Sequence, residues 1–389
     1  MHPSDTSAHI SQRPVFPLLD LLRAFAALTV LVYHQIAHWE WSDFPQSGPL
    51  AWFRAGWMAV DVFFVISGFV IGLSAFGRSE AGPGFRAGFL RARLARIVPL
   101  HWLTLVAFVV VVEPTLLQQA DIAWNLGAHF LFLHNLMPAW SGSINGPNWS
   151  LGVEMQFYLL MALAAPWLAR MRPSRLLLGA LAIAWAWRAG SWLATIPGPL
   201  DRAYFLQAQL PGMLDEFALG LLLARFVRSK TGIAVLARLA TQSRLRWGLV
   251  ALVALCLYGA FQLYLAHDFW QVGAMATFFR TLLGACAALT VLLLCGWPAA
   301  SAGAATRVAL YLGKISYGIY LWHVPVLFFL GAHTQLEPLA ALLVAMPVTI
   351  GLAAIGWHLV EAPALARWGR RRAAPPAAAA RVARGAPAA

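Results

Sequence analysis

Long apolar runs separated by short polar stretches make up most of the sequence. The first run, residues 16–39, is long enough to cross the hydrocarbon core, which takes about 20 residues of helix. Comparable runs follow at 55–76, 97–113, 149–168, 175–195, 203–227, 247–266, 273–297, 308–331 and 338–359. The pattern predicts an all-α, polytopic membrane helix bundle of about ten transmembrane helices.

One further apolar segment, near 122–137, is short for a crossing and precedes a Pro/Gly-rich stretch at 138–147. If this segment crossed the bilayer, the next basic loop would lie outside the cell. As a re-entrant or interfacial segment, it leaves every later basic loop on the inside. We predict the re-entrant or interfacial arrangement, because it agrees with the positive-inside rule.

The composition excludes a soluble protein. It is 60% hydrophobic and only 11% charged, whereas soluble proteins are about a quarter charged. The net charge of +13 does not indicate a nucleic-acid partner, since the basic residues cluster in short loops between the apolar runs. That distribution places a multi-pass protein in the cell (inner) membrane with both termini in the cytoplasm. The cysteines lie in apolar runs and lack the spacing of metal-ligating cysteines, so we interpret them as packing residues.

The chain divides into three parts. Residues 1–14 are predicted to form a flexible cytoplasmic N-terminus, 15–366 a transmembrane domain, and 367–389 a disordered basic Ala/Pro/Arg tail. The first apolar run exceeds the hydrophobic region of a signal peptide, so we interpret it as a span.

Several apolar runs contain ionisable residues, which are costly in a bilayer and usually functional. Arg23 and His34 share one face of the first run, about 16 Å apart at 1.5 Å per residue. The predicted topology puts six such residues in one layer towards the outer surface, and we expect them to converge on a hydrated cavity. A structural ion-pair network would explain the same layer. The six are His34, Asp61, Glu154, Arg188, Arg280 and His323.

His34 is the best candidate base in this layer, because imidazole titrates near neutral pH. Asp61 or Glu154 is expected to orient its other ring nitrogen, and the sequence does not decide which. Alternatively, Asp61 caps a helix and Glu154 is a hydrogen-bonded core acid. The sequence has no HExxH-type spacing, so we predict no metal site.

A basic cluster is expected at the opposite, cytoplasmic surface. Arg93 and Arg96 are three residues apart and would share a helix face that can grip phosphates, with Arg91 beside them and Arg23 extending the patch inward. The positive-inside bias alone would also produce such arginines. For acceptor binding, the candidates are Trp149, Arg188, Arg280 and His323; the alternative is that Trp149 belongs to an interfacial aromatic belt.

Six motifs, in order along nearly the whole chain, resemble those of the acyltransferase-3 family, integral-membrane enzymes that O-acylate carbohydrates and other hydroxyl acceptors. They are Arg23-x10-His34, DVFFVISGFVIG from Asp61, FLRARLARIVPLHW with Arg93 and Arg96, NWSLGVEMQFYLL with Glu154, ISYGIYLWHVPV with His323, and VEAP with Glu361.

The resemblance implies a cytoplasmic acyl-CoA, usually acetyl-CoA, as donor and a sugar or other hydroxyl-bearing acceptor. It implies that His34 is the catalytic base, that Arg93 and Arg96 contact the CoA phosphates, and that Arg23 helps to position the donor or the histidine. Gly152 and Met155 stand where the family usually has Ser and a second acid, which leaves Glu154 as the only acid there. The alternative from another class is a proton-coupled transporter or flippase of a glycan or lipid-linked sugar, in which the buried His and acids form a relay.

Overall fold

The computed structural model describes residues 16–76, 84–298 and 303–369. The predicted N-terminal segment 1–14 and the tail from 370 onwards lie outside the described residues. The first residues of the predicted tail, up to 369, belong instead to a helical turn, Leu365–Gly369, that continues the last span.

Helices account for all the regular structure of the described residues, which confirms the all-α prediction. The α-helices are α1 Leu19–His38, α2 Ala59–Phe76, α3 Phe85–Ala107, α4 Ile122–Phe130, α5 Trp149–Arg170, α6 Pro173–Thr195, α7 Leu200–Gln207, α8 Leu210–Phe226, α9 Lys230–Thr241, α10 Ser243–Ala266, α11 Gly273–Cys295, α12 Ala304–Lys314, α13 Ser316–His333 and α14 Pro338–Gly356. Helical turns at Pro49–Met58 lead into α2, and π-helical turns extend α3 and α14.

In the described part of the chain, eight helices are long and apolar enough to cross a membrane, or nine if α12 and α13, which meet at 71°, form one span. About ten spans are predicted by the sequence. Besides the bent pair α12 and α13, which covers the predicted span 308–331, the difference lies at 203–227. There α7 and α8 replace one predicted span, because the chain becomes extended at Gln209 and a new helix begins at Leu210 with Pro211 in its first turn. The 17 residues of α8 rise only about 25 Å.

The segment predicted not to cross the membrane contains α4, a helix of 9 residues that rises about 14 Å. A left-handed residue, Phe132, and one 3-10 turn follow it. The segment is tied to α3, because Trp102 Nε1 donates to the Phe130 carbonyl at 3.1 Å and His101 Nε2 donates to the His129 carbonyl at 3.0 Å. Because α4 rises only about 14 Å, the segment is too short to span the bilayer, as predicted.

Helix α3 begins at Phe85, well before the predicted start of the third span at 97. The arginines that precede the predicted span therefore lie on the first turns of the same helix. Residues 93 and 96 share a face, whereas residue 91 is about 200° around the axis from residue 93 at 100° per residue. This rotation separates the basic residues that the sequence groups together.

Helix α2 is the centre of the bundle and packs on α1, α5, α8 and α11. Its contact with α8 is especially close, because a glycine of each helix lies against the backbone of the other helix. A Cβ on Gly68 would lie 2.3 Å from the Phe217 carbonyl oxygen, and one on Gly220 would lie 2.2 Å from the Val65 carbonyl oxygen. Small residues at such crossings are a usual device of membrane helices. The position of α2, and of the residues at its N-terminal end, is thereby fixed.

Candidate active site

Two cavities lie inside the bundle, and both are lined in part by α2. The first, of about 430 Å³, is called here the arginine cavity; its polar lining includes Arg23, Arg93, Arg96, Ser67, Glu154 and Tyr158. The second, of about 800 Å³, is called the aromatic cavity; its lining includes Tyr33, His34, Trp57, Trp149, Tyr204, Trp270 and Arg280. Val60 and Tyr320 line both cavities. The two spaces therefore adjoin at these two side chains, which are called here the partition.

The arginine cavity brings together three guanidinium groups that differ in their partners. Arg23 forms an ion pair with Asp20 at 2.8 Å, one turn away on α1. Arg96 forms an ion pair with the buried Glu361 at 2.9 Å. In the described structure Arg93 has no carboxylate partner, and its guanidinium lies over the rings of Phe89 and Tyr158. Arg93 is thus the guanidinium most open to an added anion.

The aromatic rings around Arg96 reinforce its ion pair. Its guanidinium carbon lies 5.8 Å from the ring centre of Tyr317 and 5.2 Å from that of Trp357. Such cation–π contacts orient a guanidinium without neutralising it. Glu361 belongs to the VEAP motif, so that motif packs against the wall of the arginine cavity.

Glu154 also lies in the arginine cavity rather than beside His34. Its Oε1 accepts hydrogen bonds from Ser67 Oγ at 2.5 Å and from Tyr158 Oη at 2.6 Å. Asp61, fully buried, accepts instead from Arg280 Nη1 at 2.7 Å. The expectation that Asp61 or Glu154 orients the His34 ring is therefore wrong.

His34 is oriented by a backbone carbonyl and by a second histidine. Its Nδ1 lies 3.0 Å from the Val30 carbonyl oxygen and 3.2 Å from His323 Nε2. His323 Nδ1 in turn lies 2.7 Å from the Tyr320 carbonyl oxygen. Because carbonyl oxygens only accept, these partners assign the proton to Nδ1 in both neutral rings. His34 Nε2 then carries the free lone pair that a general base needs.

Arg280 contributes a cation to the wall of the aromatic cavity. Besides its ion pair with Asp61, its guanidinium lies 4.9 Å from the ring centre of Trp57. Trp149 lies in the same wall, with its ring edge-to-face against Tyr204. Burial raises the pKa of the Tyr204 phenol, so this side chain stays neutral and can donate or accept a hydrogen bond. The cavity combines flat apolar surfaces with a few polar groups.

Arg188, grouped with the acceptor-binding candidates by the sequence, lines neither cavity. It is fully buried and joins α6 to α8 through Asp215, at 2.7 Å and 3.1 Å, and through Glu216 at 3.4 Å. Its placement is that of the structural ion-pair network considered above. The sequence reading missed Asp215 and Glu216, although two adjacent acids inside the apolar run 203–227 signal that a buried cation must lie nearby.

Arg91 is likewise separated from the arginine cavity. It lines a third, largely apolar groove of about 660 Å³ together with Leu94, Trp102 and Phe130. The structure therefore brings together Arg23, Arg93 and Arg96 but not Arg91. Within the described residues, no group of three or more His, Cys, Asp or Glu is arranged to hold a metal ion.

The fold and these cavities define a polytopic membrane protein in which a cationic cavity and a histidine-bearing cavity meet inside the helix bundle. The chain belongs to the acyltransferase-3 family, because the family's sequence model, described as an acyltransferase domain, matches residues 16–358. It is accordingly an acyltransferase.

Three relatives support this assignment. BcsY of Komagataeibacter xylinus, named as a membrane-bound transacylase, is 28% identical over 79% of this chain and 72% of its own length. The acyltransferase MdmB of Streptomyces mycarofaciens is 33% identical over 55% and 58%. The O-acetyltransferase OatA of Staphylococcus aureus is 25% identical over 89% of this chain but only 57% of its own length. The comparison with solved structures gave no match.

Proposed function

We propose that the protein transfers an acyl group, most simply acetyl, from cytoplasmic acyl-CoA to a hydroxyl of a carbohydrate-type acceptor, with His34 as general base. The observation that carries this proposal is the shared wall of the two cavities at Val60 and Tyr320. It allows a donor held by the arginines and an acceptor beside His34 to meet at one point. The name of the relative OatA, an O-acetyltransferase, supports acetyl as the group transferred.

The arginine cavity is proposed as the donor site. Coenzyme A carries phosphate groups, and guanidinium groups bind phosphate through short, charge-assisted hydrogen bonds. Arg93 supplies the open cation, while Glu361 and the neighbouring rings hold Arg96 in a fixed orientation. The distribution of basic residues supports a cytoplasmic position for this end of the bundle, where acyl-CoA is available.

The aromatic cavity is proposed as the acceptor site. Binding sites for small molecules combine apolar and aromatic walls with a few placed polar groups. Here Trp57, Trp149 and Trp270 supply the flat walls, and Arg280 supplies a polar contact. A sugar presents both apolar C–H faces and hydroxyl groups, so it fits both kinds of surface.

In the proposed reaction, His34 Nε2 removes the proton of the acceptor hydroxyl as its oxygen attacks the thioester carbonyl carbon. The carbon–sulfur bond then breaks, and the sulfur of CoA leaves with the proton returned by the imidazolium. The Val30 carbonyl and His323 stabilise the transient charge on the ring through Nδ1. The transfer is direct, and no acyl-enzyme is required. Glu154 holds Ser67 and Tyr158 in the donor wall.

The test is release of CoA from acetyl-CoA by the purified full-length protein, dependent on an added glycan acceptor, with the acetylated product detected by mass spectrometry. His34→Ala is expected to lower the rate by about 10²–10⁴-fold, as for loss of a general base. The control is His333→Ala, at the exposed C-terminal end of α13 and outside both cavities.

The same assay distinguishes the proposed enzyme from the alternative, a flippase or proton-coupled transporter. A flippase or proton-coupled transporter would move glycan into proteoliposomes without consuming acetyl-CoA. Product formation that survives His34→Ala, in a variant that inserts and elutes normally, would remove His34 from the mechanism. Absence of any acceptor-dependent CoA release from the wild-type protein would contradict the proposed function itself.

A further inference from the structure

The partition between the cavities consists of two side chains from different helices. Val60 lies at the N-terminal end of α2 and Tyr320 in the second turn of α13, and both are largely buried. Among the described residues, only these two line both the arginine cavity and the aromatic cavity. The gap between these two side chains is therefore where the two cavities adjoin.

Tyr320 is held firmly in this position. Its hydroxyl donates to the Pro147 carbonyl oxygen at 2.8 Å and lies 2.8 Å from Ser150 Oγ, which also contacts that carbonyl at 3.0 Å. Its own carbonyl accepts from His323 Nδ1. Displacing the phenol ring would break the hydrogen bonds of a buried hydroxyl, which is unfavourable. The tyrosine side of the gap is therefore fixed.

The other side of the gap depends on the size of Val60 alone. The backbone of α2 cannot retreat, because Gly68 and Gly72 pack directly against the backbone and side chains of α8. The valine side chain forms no hydrogen bond and presents only its two methyl groups. Its volume thus sets the width of the opening opposite Tyr320.

We propose that Val60, opposite the fixed ring of Tyr320, determines the length of the acyl group that the enzyme transfers. This inference rests on the proposed function. The donor thioester arrives from the arginine cavity, and the attacking hydroxyl and His34 lie in the aromatic cavity. The acyl carbon must then lie at the gap, with its alkyl substituent against Val60. A methyl group fits such a gap more readily than a longer chain does.

The experiment compares kcat/KM of the full-length protein for acetyl-CoA and propionyl-CoA with one acceptor. Val60→Ala is expected to raise the propionyl-to-acetyl ratio about tenfold, since one methylene in a hydrophobic pocket changes selectivity by roughly 10–200-fold. Val60→Ile is expected to lower the same ratio. The matched controls are Val70→Ala, which changes the arginine cavity only, and Val324→Ala, which changes the aromatic cavity only.

The results distinguish this inference from the proposed function. A wild-type enzyme that transfers acetyl, with a ratio unchanged in the Val60 variants or raised equally by the two controls, overturns the inference alone. A wild-type protein that transfers no acyl group overturns the proposed function, and the inference with it. If Val60→Ala does not fold, the ratio measured for Val60→Ile decides, and an unchanged or raised ratio counts against the inference.

Discussion

His34 Nδ1 lies 3.2 Å from His323 Nε2, although 289 residues separate the two histidines in the chain. The contact is directional, because His323 Nδ1 is engaged by the Tyr320 carbonyl and leaves Nε2 as an acceptor. Tyr320 therefore serves the site twice, with its ring in the partition and its carbonyl behind His323. Whatever fixes Tyr320 also fixes the orientation of His34.

His323 is expected to be a positioning residue that acts through His34. Replacement by leucine removes one of the two acceptors near the His34 Nδ1–H and leaves only the Val30 carbonyl, a loss that matters most when the ring is charged. A hydrogen bond to a charged group contributes about 1.5–3 kcal/mol, so His323→Leu should lower kcat about 10–100-fold with little change in KM for acetyl-CoA. The measurement is steady-state CoA release by purified protein.

The conservative variant His323→Gln provides the control, since its amide oxygen offers an acceptor in place of the imidazole. It should restore part of the lost kcat. Equal activity in the Leu and Gln variants would show that the contact with His34 has no role in the reaction.

Arg93 is expected to bind the donor more strongly than Arg91, only two residues away. Arg93→Gln should raise KM for acetyl-CoA about tenfold or more, since charge-assisted hydrogen bonds are worth about 1.5–3 kcal/mol. Arg91→Gln should leave KM unchanged, because Arg91 lines a separate apolar groove. Added salt should raise KM more for the wild-type enzyme than for Arg93→Gln. Similar KM values in the two variants would argue against the arginine cavity as the donor site.

The contrast between Arg91 and Arg93 shows which features of the site can be predicted from the sequence alone. Hydropathy predicts the helical membrane fold, and the spacing of Arg93 and Arg96 predicts their common face. The wrong grouping of Arg91 follows from the start of α3, which lies at Phe85 rather than at 97. Because hydropathy marks only the apolar part of a span, the polar turns that precede it are easily taken for a loop.

Partners on different helices are harder to predict, because they depend on which helix faces meet. Asp61 and Arg280 are 219 residues apart, and nothing in the sequence around either residue indicates that they pair. The same holds for Glu361 with Arg96. The carboxylate predicted beside His34 rests on chemistry alone. In the structure, a histidine, His323, takes that position instead.

Arg188 is expected to stabilise the bundle rather than to bind substrate. Removing one member of a buried ion pair costs about 3–5 kcal/mol, because the remaining charge is left unpaired. Arg188→Met should therefore lower the thermal unfolding midpoint of the detergent-solubilised protein markedly. The double variant Arg188→Met/Asp215→Leu should recover part of that loss. A normal midpoint combined with a raised KM for the acceptor would restore the substrate-binding interpretation.

The close packing of α2 on α8 gives the last prediction. A Cβ at Gly220 would lie 2.2 Å from the Val65 carbonyl oxygen and 2.6 Å from the Phe69 nitrogen, so Gly220→Ala must push the two backbones apart. Overpacking of this kind costs about 1–3 kcal/mol, and we expect a lower unfolding midpoint in Gly220→Ala. The matched control is Gly259→Ala in α10, where a Cβ meets nothing within 4 Å; alanine there should be neutral or slightly stabilising because of its higher helix propensity. Equal midpoints for the two variants would mean that α2 and α8 are not in close backbone contact.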